Sequence, residues 1–63
     1  MNIFDAVMIA EGVHESDETT YNEAWQHLID TGVCWNLQGW FGRQAARLIE
    51  EGVCTPERKE NEN

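Results

Sequence analysis

Apolar residues along the chain fall into three clusters, and each cluster ends in the same kind of stop. Glu11-Gly12-Val13-His14, Thr31-Gly32-Val33-Cys34 and Glu51-Gly52-Val53-Cys54 place a glycine every 20 residues. Glycine just past a helix takes the left-handed conformation that satisfies the last free carbonyls, and an apolar residue after it packs back onto the final turn. The pattern predicts an all-α, compact three-helix domain over residues 1–55, with helices at about 3–11, 20–31 and 38–51. Outside the stops the three segments share little, so repeated capping chemistry accounts for the likeness.

The first helix has Asn2 as its expected N-cap, Asp5 in the first turn, and Ile3, Phe4, Val7 and Met8 as its apolar stripe. A polar, acidic loop, residues 14–19, leads to Thr20-Tyr21-Asn22-Glu23, which has the form of a capping box. From there Tyr21, Ala24, Trp25, Leu28 and Ile29 make the buried face of the second helix, and Glu23, Gln26, His27 and Asp30 the outer one. Residues 33–38 connect to the third helix, secure from about Trp40, whose stripe runs Leu37, Phe41, Ala45, Leu48 and Ile49. Gly39 and Gly42, followed by Ala45 and Ala46, leave one side of that helix nearly bare, so that another helix or an aromatic ring can approach closely. Beyond Thr55 no apolar anchor remains, and residues 56–63 are expected to form a frayed, disordered, charged tail.

Composition sharpens this picture through charge. With 12 Asp+Glu against 4 Lys+Arg, the 63-residue chain has a formal net charge of −8, which argues against an ordinary nucleic-acid or anionic-membrane binder. Residues 31–49 contain no acid at all; Arg43 and Arg47 give that window +2, and the remainder of the chain carries −10. Trp35, Trp40 and Phe41 lie in the same window. Arg43 and Arg47, at i and i+4, share one helix face, and Trp and Arg are enriched at interface hot spots. Trp35, Gln38, Trp40, Phe41, Arg43 and Arg47 are therefore the candidate protein-binding residues. The alternative is that the aromatics fill the core, which a chain this small needs, and that the arginines pair with Glu50, Glu51 or another acid of the same chain.

No catalytic signature is present, and an enzyme is not expected. A chain this short buries only about 60% of its unfolded surface, too little for a deep cleft. Cys34, Cys54, His14 and His27 lack the paired spacings of a zinc site, neither thiol has the histidine and acid of a nucleophile, and Gly39-Trp40-Phe41-Gly42-Arg43 lacks the lysine and preceding strand of a P-loop. No metal or cofactor is expected. The opening Met1-Asn2-Ile3-Phe4-Asp5 does not resemble a secretory signal, and the longest apolar run, residues 6–10, is too short to span a membrane. Both cysteines are expected as free thiols in a reducing compartment.

The stretch His27 to Ala46, with its Asp30-Thr31-Gly32 and then Trp35-x-Leu37-Gln38-Gly39-x-x-Gly42-Arg43, continuing to Leu48-Ile49-Glu50-x-Gly52, resembles a family of small proteins of tailed bacteriophages. The opening Ile3-Phe4-Asp5-Ala6-Val7-Met8 is similar to the start of the same family. The resemblance implies a phage protein made in the bacterial cytoplasm and supplies no mechanism. Trp40 and Phe41 fall at the variable places of that string. The expectation is a non-enzymatic protein that binds a host bacterial protein, a nucleic-acid-handling one being a target that suits the acidic surface, and modulates or inhibits it. Two alternatives stand beside it: a self-associating structural or accessory protein, and a helix-turn-helix nucleic-acid binder, for which two arginines in a body of −10 give poor phosphate attraction.

Overall fold

A computed structural model describes residues 1–57; the expected frayed tail lies, from residue 58 onward, outside the described residues. The chain forms α1 (Ile3–Ala10), α2 (Glu18–Thr31), a short 3-10 turn (Val33–Asn36) and α3 (Gly39–Glu50), with no strand among the described residues. One hydrophobic core gathers side chains from all of these elements and from Cys54 beyond the last helix.

Local chemistry sets the helix boundaries. At α1, Asn2 Oδ1 accepts the Asp5 N–H at 2.7 Å, with Asp5 itself at the positive end of the helix dipole. The capping box expected at Thr20 does not form. Asp17 is the N-cap instead, its Oδ1 accepting the Thr20 N–H at 2.8 Å, so α2 begins at Glu18 and gains most of a turn from the acidic loop. An ionised carboxylate is the stronger acceptor for free helix N–H groups than a threonine hydroxyl. The backbone N–H of Thr20, with a further hydrogen bond from its side chain, holds the Asp17 carboxyl below its ordinary value.

All three stops end in glycine with left-handed backbone: φ is 82° at Gly12, 79° at Gly32 and 80° at Gly52. After α1 and α3 the reversal is the Schellman type, with Val13 N–H donating to Met8 O and Val53 N–H to Leu48 O, each at 2.9 Å. The valines do not all pack back as expected. Val13 and Val53 stay exposed, and only Val33 packs against the core. After α2 the chain enters the 3-10 turn directly, and the Thr31 hydroxyl, donating to His27 O at 2.9 Å, closes the helix end.

Trp25 is the centre of the core and is fully buried. Tyr21 and Trp40 meet its ring edge-on, at centroid distances of 6.5 and 6.2 Å, and Phe41 lies tilted at 5.9 Å. Burying an indole of this size contributes about 4–6 kcal/mol of transfer free energy. The indole N–H has no hydrogen-bond partner among the described residues.

The α1 stripe departs from the sequence expectation. Ala6 and Ala10 are the buried residues of α1, whereas Ile3 and Phe4 are exposed and Val7 and Met8 half-buried. The α1 and α2 backbones approach closely, and α3 reaches α2 mainly through aromatic side chains and the 3-10 turn. Small residues suit the first contact and large ones the second. Gln26, expected on the outer face of α2, instead grips the chain after α3. Its amide oxygen accepts the Thr55 N–H at 2.9 Å and its amide nitrogen donates to Thr55 O at 3.0 Å. That clasp seats Cys54 in the core, with its Sγ 3.9 Å from Asn22 O.

Candidate protein-binding face

The acid-free window folds into the 3-10 turn and α3, and its side chains sort into core and surface. Phe41, Ala45 and Leu48 are buried and Ile49 packs on them, as the sequence stripe expects; Leu37 lies outside the helix and is exposed, contrary to that expectation. The backbone is extended at Leu37, between the 3-10 turn and α3, so its side chain leaves the helical stripe.

Of the six candidate residues, Phe41 is only 3% exposed and belongs to the core. Trp35, Gln38, Trp40, Arg43 and Arg47 reach the surface. At about 100° per residue, Trp40, Arg43 and Arg47 fall within about 60° of one another on the helix wheel, outside the buried stripe, with Trp40 at the edge nearest to it. Trp40 stacks on Phe41 at 4.1 Å and leans edge-on against Trp25, which fixes its ring while leaving 37% of the residue exposed.

Trp35 lies against the flank of α3 at Gly42, on the same side as the half-buried Ile49. A Cβ added at Gly42 would lie 3.5 Å from the Trp35 ring, so the bare helix surface serves as the seat for an indole. The 3-10 turn that holds Trp35 is tied at both ends: Trp35 N–H donates to Gly32 O at 3.2 Å, and the Asn36 side-chain amide donates to the same carbonyl at 3.4 Å. The residue remains 50% exposed. The expectation that glycine and alanine would admit an aromatic ring is met here by one from the same chain.

The arginines project on the side of α3 that bears Trp40, whereas Trp35 sits over Gly42, about 160° round the helix from Trp40. Neither Arg43 nor Arg47 makes an ion pair or hydrogen bond with another described residue, so the pairing with Glu50 or Glu51 that the sequence left open is not formed. The Arg43 guanidinium folds back over Gly39, where an added Cβ would meet its nitrogen at 3.2 Å. Gln38, the N-cap of α3, makes no side-chain capping bond, and no acid occupies the first turn. Both other helix starts have a capping side chain and an acid, so α3 alone presents only neutral and positive groups at its beginning.

Elsewhere the groups that could carry chemistry are quiet. Cys34 and Cys54 are both free and buried, and burial pushes the Cys34 thiol up to about 11, which keeps it protonated at neutral pH. Among the described residues no group of three His, Cys, Asp or Glu side chains could hold a metal ion, and no helix is long and apolar enough to cross a membrane. An open, mostly polar groove of about 500 Å³ runs along α2 beside Glu23, Gln26, His27 and Asp30.

What the sequence missed is Leu37, which adds apolar surface beside Trp35, and the outer flank of α1, where Phe4 is 67% exposed. Leu37 is exposed because the chain is extended after the 3-10 turn, and Phe4 because α1 buries Ala6 and Ala10 instead. No curated protein and no solved structure matches the chain. Residues 3–62, nearly the whole chain, match the family described as domain of unknown function (DUF7417), and the protein belongs to that family.

Proposed function

We propose that this is a small acidic phage protein, acting in the bacterial cytoplasm, that binds a host protein without catalysing a reaction and modulates or inhibits it through the outer face of α3. The observation that carries the reading is the exposure of Trp35, Leu37 and Trp40, together with two arginines that pair with no other described residue, in the long window of the chain that has no acid. A 63-residue chain has few large side chains to spare from its core, and tryptophan and arginine are the residues that most often dominate binding energy. The phage origin rests on the Trp35-x-Leu37-Gln38-Gly39-x-x-Gly42-Arg43 string. The −10 of the remaining chain steers approach toward a target whose surroundings are basic.

The test is capture from bacterial lysate on the immobilised full chain, comparing wild type with Trp35→Ala/Arg43→Ala/Arg47→Ala and with Phe4→Ser. A host protein held by wild type and Phe4→Ser and lost from the triple variant is the expected result. An identical set of proteins on all three baits, or none on any, overturns it. The second reading, self-association, is favoured by one observation, the exposed Met1, Ile3 and Phe4 at the outer flank of α1. Light scattering over a concentration series decides that reading, and a strict monomer removes it.

A further inference from the structure

Beyond the host-binding role of α3, and resting on the self-association reading, we infer that the outer side of α1 is a dimer interface. In it α1 packs antiparallel on α1 of a second copy, about a two-fold axis that sets Phe4 of each chain against Met8 of the other. The helix itself calls for a second cover. Of its eight residues only Asp5 is polar, and a helix apolar on nearly every side is one that protein covers on more than one. α1 has a single such cover, because it lies against α2 and makes little backbone contact with α3. Ala6 and Ala10 take the buried side. At about 100° per residue, Phe4 and Met8 stand about 160° round the helix from those alanines, with Ile3 and Val7 in the sector between. Val13 extends the row, since its N–H bond to Met8 O at 2.9 Å holds it beside Met8. Ile3, Phe4 and Val13 are exposed and Met8 half-buried.

The area matches a copy of the chain. These residues, with the edge of Val7, expose about 400 Å² of apolar surface, about a tenth of the chain's 4227 Å², which is the share that a specific interface takes from a small protein. Two such patches remove about 800 Å² from water, short of the ~1,200 Å² at which stable complexes begin, so the dimer is a reversible one. Charge sets its orientation. Glu11, the C-cap of α1, is the acid nearest the row, about 20° from Phe4 on the helix wheel. Parallel packing would set the two Glu11 side chains together. Antiparallel packing about the midpoint of Phe4 and Met8 holds them about 15 Å apart, beyond the ~8 Å screening length, and brings each toward the positive end of the other helix. It also lays the Phe4 ring against the Met8 thioether twice, a contact that sulfur and aromatic rings favour. The two-fold axis lets one patch serve both partners.

Sedimentation equilibrium of the full chain from about 5 µM to about 1 mM, at about 50 and about 500 mM salt, checks the dimer. Wild type is expected to dimerise with a dissociation constant of about 100 µM. Because each copy carries −8, association should tighten about threefold at the higher salt. Phe4→Ser should weaken it about tenfold, and Phe4→Ser/Met8→Ser should stay monomeric throughout, both with the circular dichroism of wild type. In a mixture of 13C-labelled and unlabelled chains, isotope-filtered NOE spectra should show the Phe4 ring against the Met8 methyl of the other copy. A strict monomer at about 1 mM overturns the inference and removes self-association with it. Dimerisation that survives in Phe4→Ser/Met8→Ser, or that loosens as salt is raised, overturns the α1 interface while self-association through another face stands. Contact between the two Val13 side chains overturns it as well, since antiparallel packing keeps them at opposite ends. Capture of a host protein through α3 stands or falls separately.

Discussion

α1 and α3 are both amphipathic helices on the same partner, and they dock in opposite ways. α3 buries its bulk, Phe41 and Leu48, whereas α1 buries Ala6 and Ala10 and leaves Phe4 and Ile3 outside. The difference lies in distance. α1 lies close against α2, where Ala24 is also fully buried, and there is no room for a larger side chain; α3 is held off by the ring system around Trp25. Which stripe of a helix is apolar therefore does not by itself decide which stripe is buried. Size matched to spacing decides it, because interiors are close-packed and gaps on either side cost free energy.

The contrast can be broken most severely at its centre. Trp25→Ala should cost about 3–5 kcal/mol out of a total near 3–9 kcal/mol for a chain of this length, and thermal melts followed by circular dichroism should show little cooperative transition left. Enlarging the close contact comes next. Ala6→Leu should cost about 1–3 kcal/mol, while the volume-conserving Leu48→Met in the wider interface should cost less than about 1.5 kcal/mol; chemical denaturation that ranks Leu48→Met as the more damaging would invert the explanation.

A smaller effect sits where the two interfaces join, at Cys34 in the 3-10 turn. Its thiol is raised in the folded chain, so the unfolded chain ionises first. The contribution is fully present below the ordinary value near 9.0 and is lost as pH rises toward about 11. Cys34→Ala should flatten that part of the stability–pH curve, and a wild-type curve that stays level from 9 to 11 would show that the burial is not felt. Least of all, Phe4→Ser should change stability by no more than about 0.5 kcal/mol. A large loss in the monomer would mean that the outer flank of α1 is in fact packed.

Much of the architecture was legible in the residues. Glycine at 12, 32 and 52 announced three helix ends, since few other residues adopt their backbone, and the spacing of Ala24, Trp25, Leu28 and Ile29 named the buried face of α2. Errors arose where two local solutions competed. Asp17 and Thr20 could each cap α2, and the choice between them rests on charge against the helix dipole rather than on motif form. The α1 stripe failed for a different reason, because inter-helix distance is a property of the assembled chain. Of the candidate face, the window and its arginines could be found by tracking acids along the chain. The division of its aromatics into buried Phe41 and exposed Trp35 depends on the 3-10 turn, which no spacing rule marked.

The clasp between Gln26 and Thr55 carries the folded unit past its last helix. Helical residues end at Glu50, yet Cys54 fills part of the core and Thr55 exchanges two hydrogen bonds with α2. A chain cut after Glu51 would retain every helix and lose the plug that closes one end of them. A side-chain amide thus acts as a one-residue strand partner, and the residues that follow the last helix help to fix its position.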